Sequence, residues 1–438
     1  MKINTKKLRF YSIIFILFIL FISIASKNDY LKSSIYNNLW TKISEKNQLI
    51  VKLMFQKKFK DNFEFRKYYN DYNENFLPYT QFEKLNIEKK KLRFLSNIQK
   101  NTSYFQGKDK LSSFNIELVF EDEILVIDNN NNLFFLLELK NLLKFDNNDF
   151  KEILISNNLK NLQSFKILDA LIQDDQIYIS YITKNKKCQN YNIASASINK
   201  NFLKFEEVFH SDECGTFLQG GRLQFYNLND KDYLLFTTGN NVWNQPDNSS
   251  QNVKSIFGKI LYIDPSNGNY DIFSLGHRNP QGLFVKNNLI LETEHGPYGG
   301  DEINKIVFGG NYGWPISSEG DSYNFYNDIK KKPLYKKDHK NFKPPIFSFV
   351  PSIGISEIIK LPNNFSPFWK DNYLIASLNK KSLFRTKFNE KYEKLLFVEE
   401  IYIGERIRDL KYHKGYKILF LALENESQIG ILSNINVD

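Results

Sequence analysis

Gly276–Pro315 reads GHRNPQGLFVKNNLILETEHGPYGGDEINKIVFGGNYGWP. Between its glycine-rich ends lies a short apolar run, Leu289-Ile290-Leu291, followed by Glu292-Thr293-Glu294. The pattern is strand, tight loop, strand, tight loop, with polar residues delivered from the loops. Glycine lets a backbone take positive φ or come close to a ligand, so carbonyls and amides can point inward. A flat anion or a calcium ion would find guanidinium, carboxylate and carbonyl groups on one connected surface.

Outward from this stretch, the chain from about Ser112 continues as short strands punctuated by polar turns. NIELVFEDEILVID, NNLFFLLEL, QIYISYI, YNIASASI, RLQFYN, YLLFTTG and KILYID precede it; YLIASL, SLFRTKF, IRDLKYH, KILFLAL and QIGILSNI follow. No long helical period interrupts them, so the class is all-β. With 39 Phe and 25 Tyr, a sizeable core is readily filled.

GHRNPQGL, EHGPYGGDEIN and GGNYGWP, in this order and spacing, resemble the PQQ-dependent soluble sugar dehydrogenases, the glucose/sorbosone dehydrogenase group with its aldose dehydrogenase branch. The resemblance implies a six-bladed β-propeller over residues 106–438, in which blades of four strands plus loops match the available length. It also implies oxidation of an aldose at its anomeric carbon by pyrroloquinoline quinone (PQQ), with calcium as a second cofactor. PQQ carries three carboxylates and an ortho-quinone, and so needs guanidinium partners and a Lewis acid. Arg278, Asn279 and Asp301 match cofactor-side positions of the family, and Gly296 and Pro297 match those whose backbone carbonyls hold calcium. Arg406 and Arg408 of GERIRD match its cofactor arginines; on a strand their spacing puts both guanidiniums on one face. Ser352, in VPSIG, falls where the family has a small polar residue.

Three departures stand beside these matches. The general-base His of a His-x-Gly-x-Arg-Leu segment is replaced in Leu218-Gln219-Gly220-Gly221-Arg222-Leu223 by Leu218. The Asp that orients that base is Asn240, and a cofactor Lys is Asn379. A positioned base contributes about 10²–10⁴ in rate, and leucine cannot supply it. His295, Asp301 and Glu294 are the local candidates to take over, whereas His210, His339 and His413 lie in charged segments and read as surface residues. Two functions are therefore expected: a PQQ- and calcium-dependent aldose dehydrogenase, impaired at its base, or a catalytically inactive propeller that binds a carbohydrate or protein. A nicotinamide enzyme is disfavoured, since no strand-borne GxGxxG opens a helix. A serine hydrolase is disfavoured by the lack of a GxSxG elbow.

The N-terminal region differs in kind. Lys2, Lys6, Lys7 and Arg9 precede the uncharged FYSIIFILFILFISIAS, residues 10–26, which reads as a retained signal-anchor with a signal peptide as the alternative. Basic residues ahead of it place the N-terminus inside and the rest of the chain exported, facing the periplasm from the inner membrane. Residues 27–105 read as an amphipathic helical and irregular arm. Residues 1–100 carry 17 Lys and 3 Arg against 8 acidic residues, while the remainder is close to neutral. The overall +10 thus belongs to the arm and suits a membrane surface. It is not the basic folded face that nucleic-acid binding requires. In an exported chain Cys188 and Cys214 are disulfide candidates; free buried thiols are the alternative. The partners implied are a sugar substrate and an electron acceptor of open identity.

Overall fold

Strand and turn chemistry alternate along the chain as the sequence requires. Glu123–Asp128 and Leu133–Glu138, for example, are joined by an Asn-rich turn. The Asp128 carboxylate accepts from the N–H groups of Asn130 and Asn131, and Asn132 takes the left-handed conformation at φ 57° that asparagine tolerates. Repeating this device yields six antiparallel sheets. The computed structural model describes residues 92–96 and 113–434, except 121, 140–151, 186–187, 242–247, 321–338, 364, 366–368 and 425–427.

The innermost strands of the six blades are Phe114–Val119, Ser164–Gln173, Gly220–Leu228, Pro280–Lys286, Ile355–Lys360 and Ile407–His413. Each lies against its two neighbours, and the sixth returns to the first, closing a ring. Six hydrophobic clusters fill the six gaps between adjacent blades. One packs Phe114, Ile116 and Phe135 of the first blade on Phe420 and Ile431 of the sixth. Another sets Leu235 and Ile260 of the third blade against Leu283 and Ile290 of the fourth. Burial of apolar surface between blades, more than within any one sheet, is what holds such a ring together.

The expectation of six four-stranded sheets is met with two refinements. The first and third blades each gain a two-residue fifth strand, Phe202–Leu203 and Gly310–Asn311, paired in parallel. The sixth blade has only three strands from the C-terminal end; its outermost, Leu92–Ser96, comes from before the first blade and pairs with Gln428–Asn434. The fold therefore takes in residues ahead of the expected boundary at 106. Leu92–Ser96 apart, the arm 27–105 and the apolar segment 10–26 lie outside the described residues. Among the described residues no helix is long and apolar enough to cross a membrane.

Cys188 and Cys214 form a disulfide, with Cα atoms 5.6 Å apart. Reciprocal backbone hydrogen bonds between Gln189 and Gly215 lie beside it and clamp the segment that leads to Leu218.

The channel inside the ring is blocked by ions. Arg222 Nη1 contacts Asp169 at 2.9 Å and Glu357 at 2.8 Å, Lys411 contacts Glu117 at 2.6 Å, and Asp409 accepts from Asn115 and Ile116. Four carboxylates thus face two cations in one largely buried cluster. Burial drives Glu117 up to about 8 and Glu357 up to about 7, against the pull of Lys411 and Arg222 respectively. A cavity of about 280 Å³ adjoins this cluster, lined by its Arg222, Glu357 and Lys411 and by Phe284, Lys360 and Tyr412 from the far ends of the inner strands. The residues singled out in the sequence lie at the opposite, entry end.

Candidate active site

The loops entering the third, fourth, fifth and sixth inner strands deliver those residues to one mouth. Glu294 fixes the first pair from behind: its Oε2 accepts from the backbone N–H of Arg278 at 2.7 Å and of Asn279 at 3.3 Å. Its Oε1 accepts from Asn304 Nδ2 at 3.3 Å, and His277 Nδ1 lies 3.8 Å away. Held thus, Arg278 donates from Nη1 to the carbonyls of His295 (2.9 Å) and Gly296 (2.8 Å) and lies against the Trp314 ring. Asn279 Oδ1 accepts from Gly220 N and Gln281 Nε2, tying the third blade to the fourth.

Asp301 lies at the centre of a hydrogen-bonded loop. Its Oδ1 accepts from Gly296 N (3.1 Å) and Ser352 Oγ (2.8 Å), and its Oδ2 from the N–H groups of Ile353, Gly354 and Ile355. Five donors saturate a carboxylate that is 1% exposed. Asp301 therefore shapes the Gly296–Pro297 loop and the entry to the fifth blade, both of its oxygens engaged within the protein. Ser352 is likewise turned onto Asp301. Glycine is obligatory in this loop: a Cβ at Gly296 would lie 2.2 Å from the carbonyl oxygens of Gly299 and Gly300.

Arg406 and Arg408 do come together, and they share a partner that the sequence reading missed. Glu424, just past the end of the next strand, Ile418–Leu423, accepts from Arg408 Nε at 2.7 Å and Arg406 Nε at 3.3 Å, and the two arginines hold its carboxyl below the usual range against the effect of burial. Arg408 Nη1 also donates to Gln281 Oε1 at 3.0 Å. One internal carboxylate thus serves two guanidiniums. Arg222, in the retained Gly-Arg-Leu frame, holds this row from below through the carbonyls of Gln281 (2.6 Å) and Arg408 (3.2 Å).

His295 stands at the centre. Burial lowers its pKa; Asp301 opposes this, and Arg278 and Arg408 reinforce it. Its Nε2–H donates to the Ile355 carbonyl, which fixes the tautomer and leaves Nδ1 as an acceptor.

Leu218, at the position of the family's base, is 6% exposed and packs with Phe236, Ile256 and Phe257 in the cluster between the second and third blades. It does not present methyl groups to the mouth. Beside it the Tyr191 hydroxyl donates to Gln219 O and accepts from the N–H groups of Gln219 and Gly239, bracing this wall. Asn240 is buried, its N–H donating to Arg278 O. Asn379 is exposed on the fifth blade beside Gly354.

Behind Glu294, the buried His277, Glu292 and Glu294 bring ligand atoms within 4.8 Å of one another, a spacing that a small cation can bridge. Burial and neighbouring carboxylates push Glu292 and Glu302 well above the usual range.

The profile of the Glucose / Sorbosone dehydrogenase family matches residues 166–431, which contain four of the six inner strands whole, most of a fifth, and every site residue named above. The chain belongs to this family. Over 228 residues it is 30% identical to Aldose sugar dehydrogenase YliI of Escherichia coli (strain K12), covering 48% of this chain and 58% of that protein. Over 170 residues it is 31% identical to Quinoprotein glucose dehydrogenase B of Acinetobacter calcoaceticus, covering 28% of this chain and 35% of that protein. The chain thus spans about a third to three fifths of the length of these two relatives. The soluble aldose sugar dehydrogenase of Escherichia coli, in its apo-form crystal structure, superposes with a TM-score of 0.60 over 78% of this chain and all of its own, at 22% identity. The PQQ-bound aldose sugar dehydrogenase from Streptomyces coelicolor gives 0.55 over 78% of this chain and 98% of its own, at 18% identity. These two likenesses carry the six-bladed fold.

Proposed function

We propose that this protein binds PQQ at the mouth formed by Arg278, Asn279, Arg406 and Arg408 and oxidises aldose sugars there at the anomeric carbon. One observation carries the reading: Arg406 and Arg408 share one carboxylate, Glu424, so that two guanidinium charges meet a single negative charge at this mouth. The side chain of Arg406 is 38% exposed, so it can meet an incoming carboxylate from solvent. An anion with several carboxylates fits that imbalance, and membership of the family makes PQQ the candidate. When bound, PQQ supplies a two-electron acceptor, and calcium at the Gly296 and Pro297 carbonyls would polarise it. Those carbonyls sit in a loop shaped by glycine and held by Asp301, and the carbonyl oxygen of Gly296 retains a second lone pair beside its bond from Arg278.

This chain's own residues divide the remaining work. Arg406 and Arg408 bind and orient carboxylates. Arg278 and Asn279 set the mouth's inner wall, and Glu294 keeps their backbone in place. The proton of the sugar hydroxyl needs an acceptor, and with Leu218 in the core and Asp301 saturated, His295 Nδ1 is the acceptor at the mouth. The Cys188–Cys214 bridge supports an exported protein, since disulfides persist in oxidising compartments.

The burial of Leu218 favours a second reading, a propeller that binds its ligand without turnover. Aldose oxidation by the PQQ- and calcium-loaded protein with an artificial electron acceptor separates the two. The dehydrogenase reading expects measurable turnover that Leu218→His with Asn240→Asp increases. Inert wild type and an inert double variant, both with PQQ bound, would decide for the silent propeller.

A further inference from the structure

Lys166 is a cation with no part in the account so far. It lies at the mouth end of Ser164–Gln173, where the ladder to Gln176–Lys184 slips between Ser164 and Lys166 and again between Ile167 and Asp169. Bulges of this kind re-aim side chains beside functional sites. A chain of hydrogen bonds places this bulge next to the arginine row. The N–H of Ile167 donates to Asn129 O at 2.8 Å, Asn129 Nδ2 donates to Ser113 Oγ at 3.2 Å, and Ser113 hydrogen-bonds to Glu424. Glu424 is the carboxylate that Arg406 and Arg408 share.

The ammonium of Lys166 lies in the field of this pair. Burial lowers its pKa, Arg408 lowers it further, and Glu424 opposes both. Among the described residues, however, no carboxylate comes within ion-pair distance of it, whereas Arg406 and Arg408 both reach Glu424. Lys166, Arg406, Arg408 and Glu424 together leave two positive charges uncompensated on one wall. Partly buried like charges are tolerated near one another when an anion sits among them.

We propose that Lys166 is a third cation of the carboxylate seat, pairing with a carboxylate of the bound cofactor from the second blade as Arg406 and Arg408 do from the sixth. The assignment rests on the PQQ reading above and adds a contact from a blade that otherwise contributes no ligand group. Its chemistry is that of an ammonium point charge: tolerant of geometry, sensitive to salt and replaceable by arginine.

The test is titration of the full-length protein with PQQ in the presence of calcium, read by quinone absorbance, for wild type, Lys166→Met and Lys166→Arg at two salt concentrations. A charge-assisted hydrogen bond of about 1.5–3 kcal/mol corresponds to roughly ten- to a hundredfold in affinity. Lys166→Met should weaken binding by at least about tenfold and flatten its salt dependence, while Lys166→Arg keeps both near wild type. Unliganded Lys166→Met should be no less stable to urea than wild type, because it loses an unpaired cation; a merely structural lysine would give the opposite. Wild-type affinity and salt dependence in Lys166→Met would overturn the assignment and leave the cofactor reading standing. Absence of PQQ binding by wild type would overturn the cofactor reading itself, and the assignment with it.

Discussion

Replacing Asp301 with asparagine removes one charge and one acceptor from a carboxylate that takes five hydrogen bonds. The amide oxygen can keep the three N–H groups of Ile353, Gly354 and Ile355, at 3.0, 2.7 and 3.0 Å in the parent. Its NH2 group then faces Ser352 Oγ and Gly296 N. Ser352 can rotate and accept, but the Gly296 N–H is left buried without a partner. Loss of one charge-assisted bond at about 1.5–3 kcal/mol, plus an orphaned donor at about 1–3 kcal/mol, predicts destabilisation of about 3–5 kcal/mol. Urea unfolding should show this as a lower midpoint at unchanged slope. Ser352→Ala, which removes one donor and leaves the carboxylate its other four, should cost only about 1 kcal/mol. A loss below about 1 kcal/mol for Asp301→Asn would refute the reasoning, because water would then be replacing bonds described here as closing the loop.

The channel plug predicts a pH dependence. Glu117 and Glu357 titrate near 8 and 7 when folded, against about 4.5 when unfolded, so the folded state holds protons that the unfolded state releases between those values. Their contribution is full below about pH 4.5 and declines as pH rises towards 8. The urea midpoint should fall over that window, and Glu357→Gln should flatten the fall; a midpoint that climbs from pH 5 to 8 would contradict this. Opening the Cys188–Cys214 bridge by Cys214→Ser should cost about 3 kcal/mol for a loop of this length, and added reductant should bring wild type down to the same midpoint. A variant as stable as oxidised wild type would show the bridge to be dispensable.

The alternation of short apolar runs with Asn- and Gly-rich turns made the all-β class legible, because period-two patterning and turn chemistry are local signals. Ring closure by Leu92–Ser96 was not legible. LRFLS lies amid lysines in a segment whose pattern reads as an arm, and what gives it a place is the open edge of Gln428–Asn434, far away in sequence. In the site, Arg278, Asn279, Arg406 and Arg408 stood out because motifs carry them. Glu424 did not, since a lone carboxylate 16 to 18 residues beyond its arginines leaves no local mark. Nor could the sequence show that Asp301 is saturated by the loop it shapes, or that Leu218 turns into the gap between two blades. A substitution can be read from a chain, but the direction of its side chain is set by packing. Lys166 belongs with these: its neighbours come from the first and sixth blades, and only the ring brings them together.

The central claim is that the arginine-lined mouth seats PQQ. Equilibrium titration of the full-length protein with PQQ, with and without calcium and read by quinone absorbance, tests it most directly beside the double variant Arg406→Gln, Arg408→Gln. The account predicts saturable one-to-one binding by wild type, tighter with calcium and weakened at least about a hundredfold in the double variant, since two charge-assisted contacts are lost. Binding that is absent in wild type, or equally tight in both proteins, would contradict it.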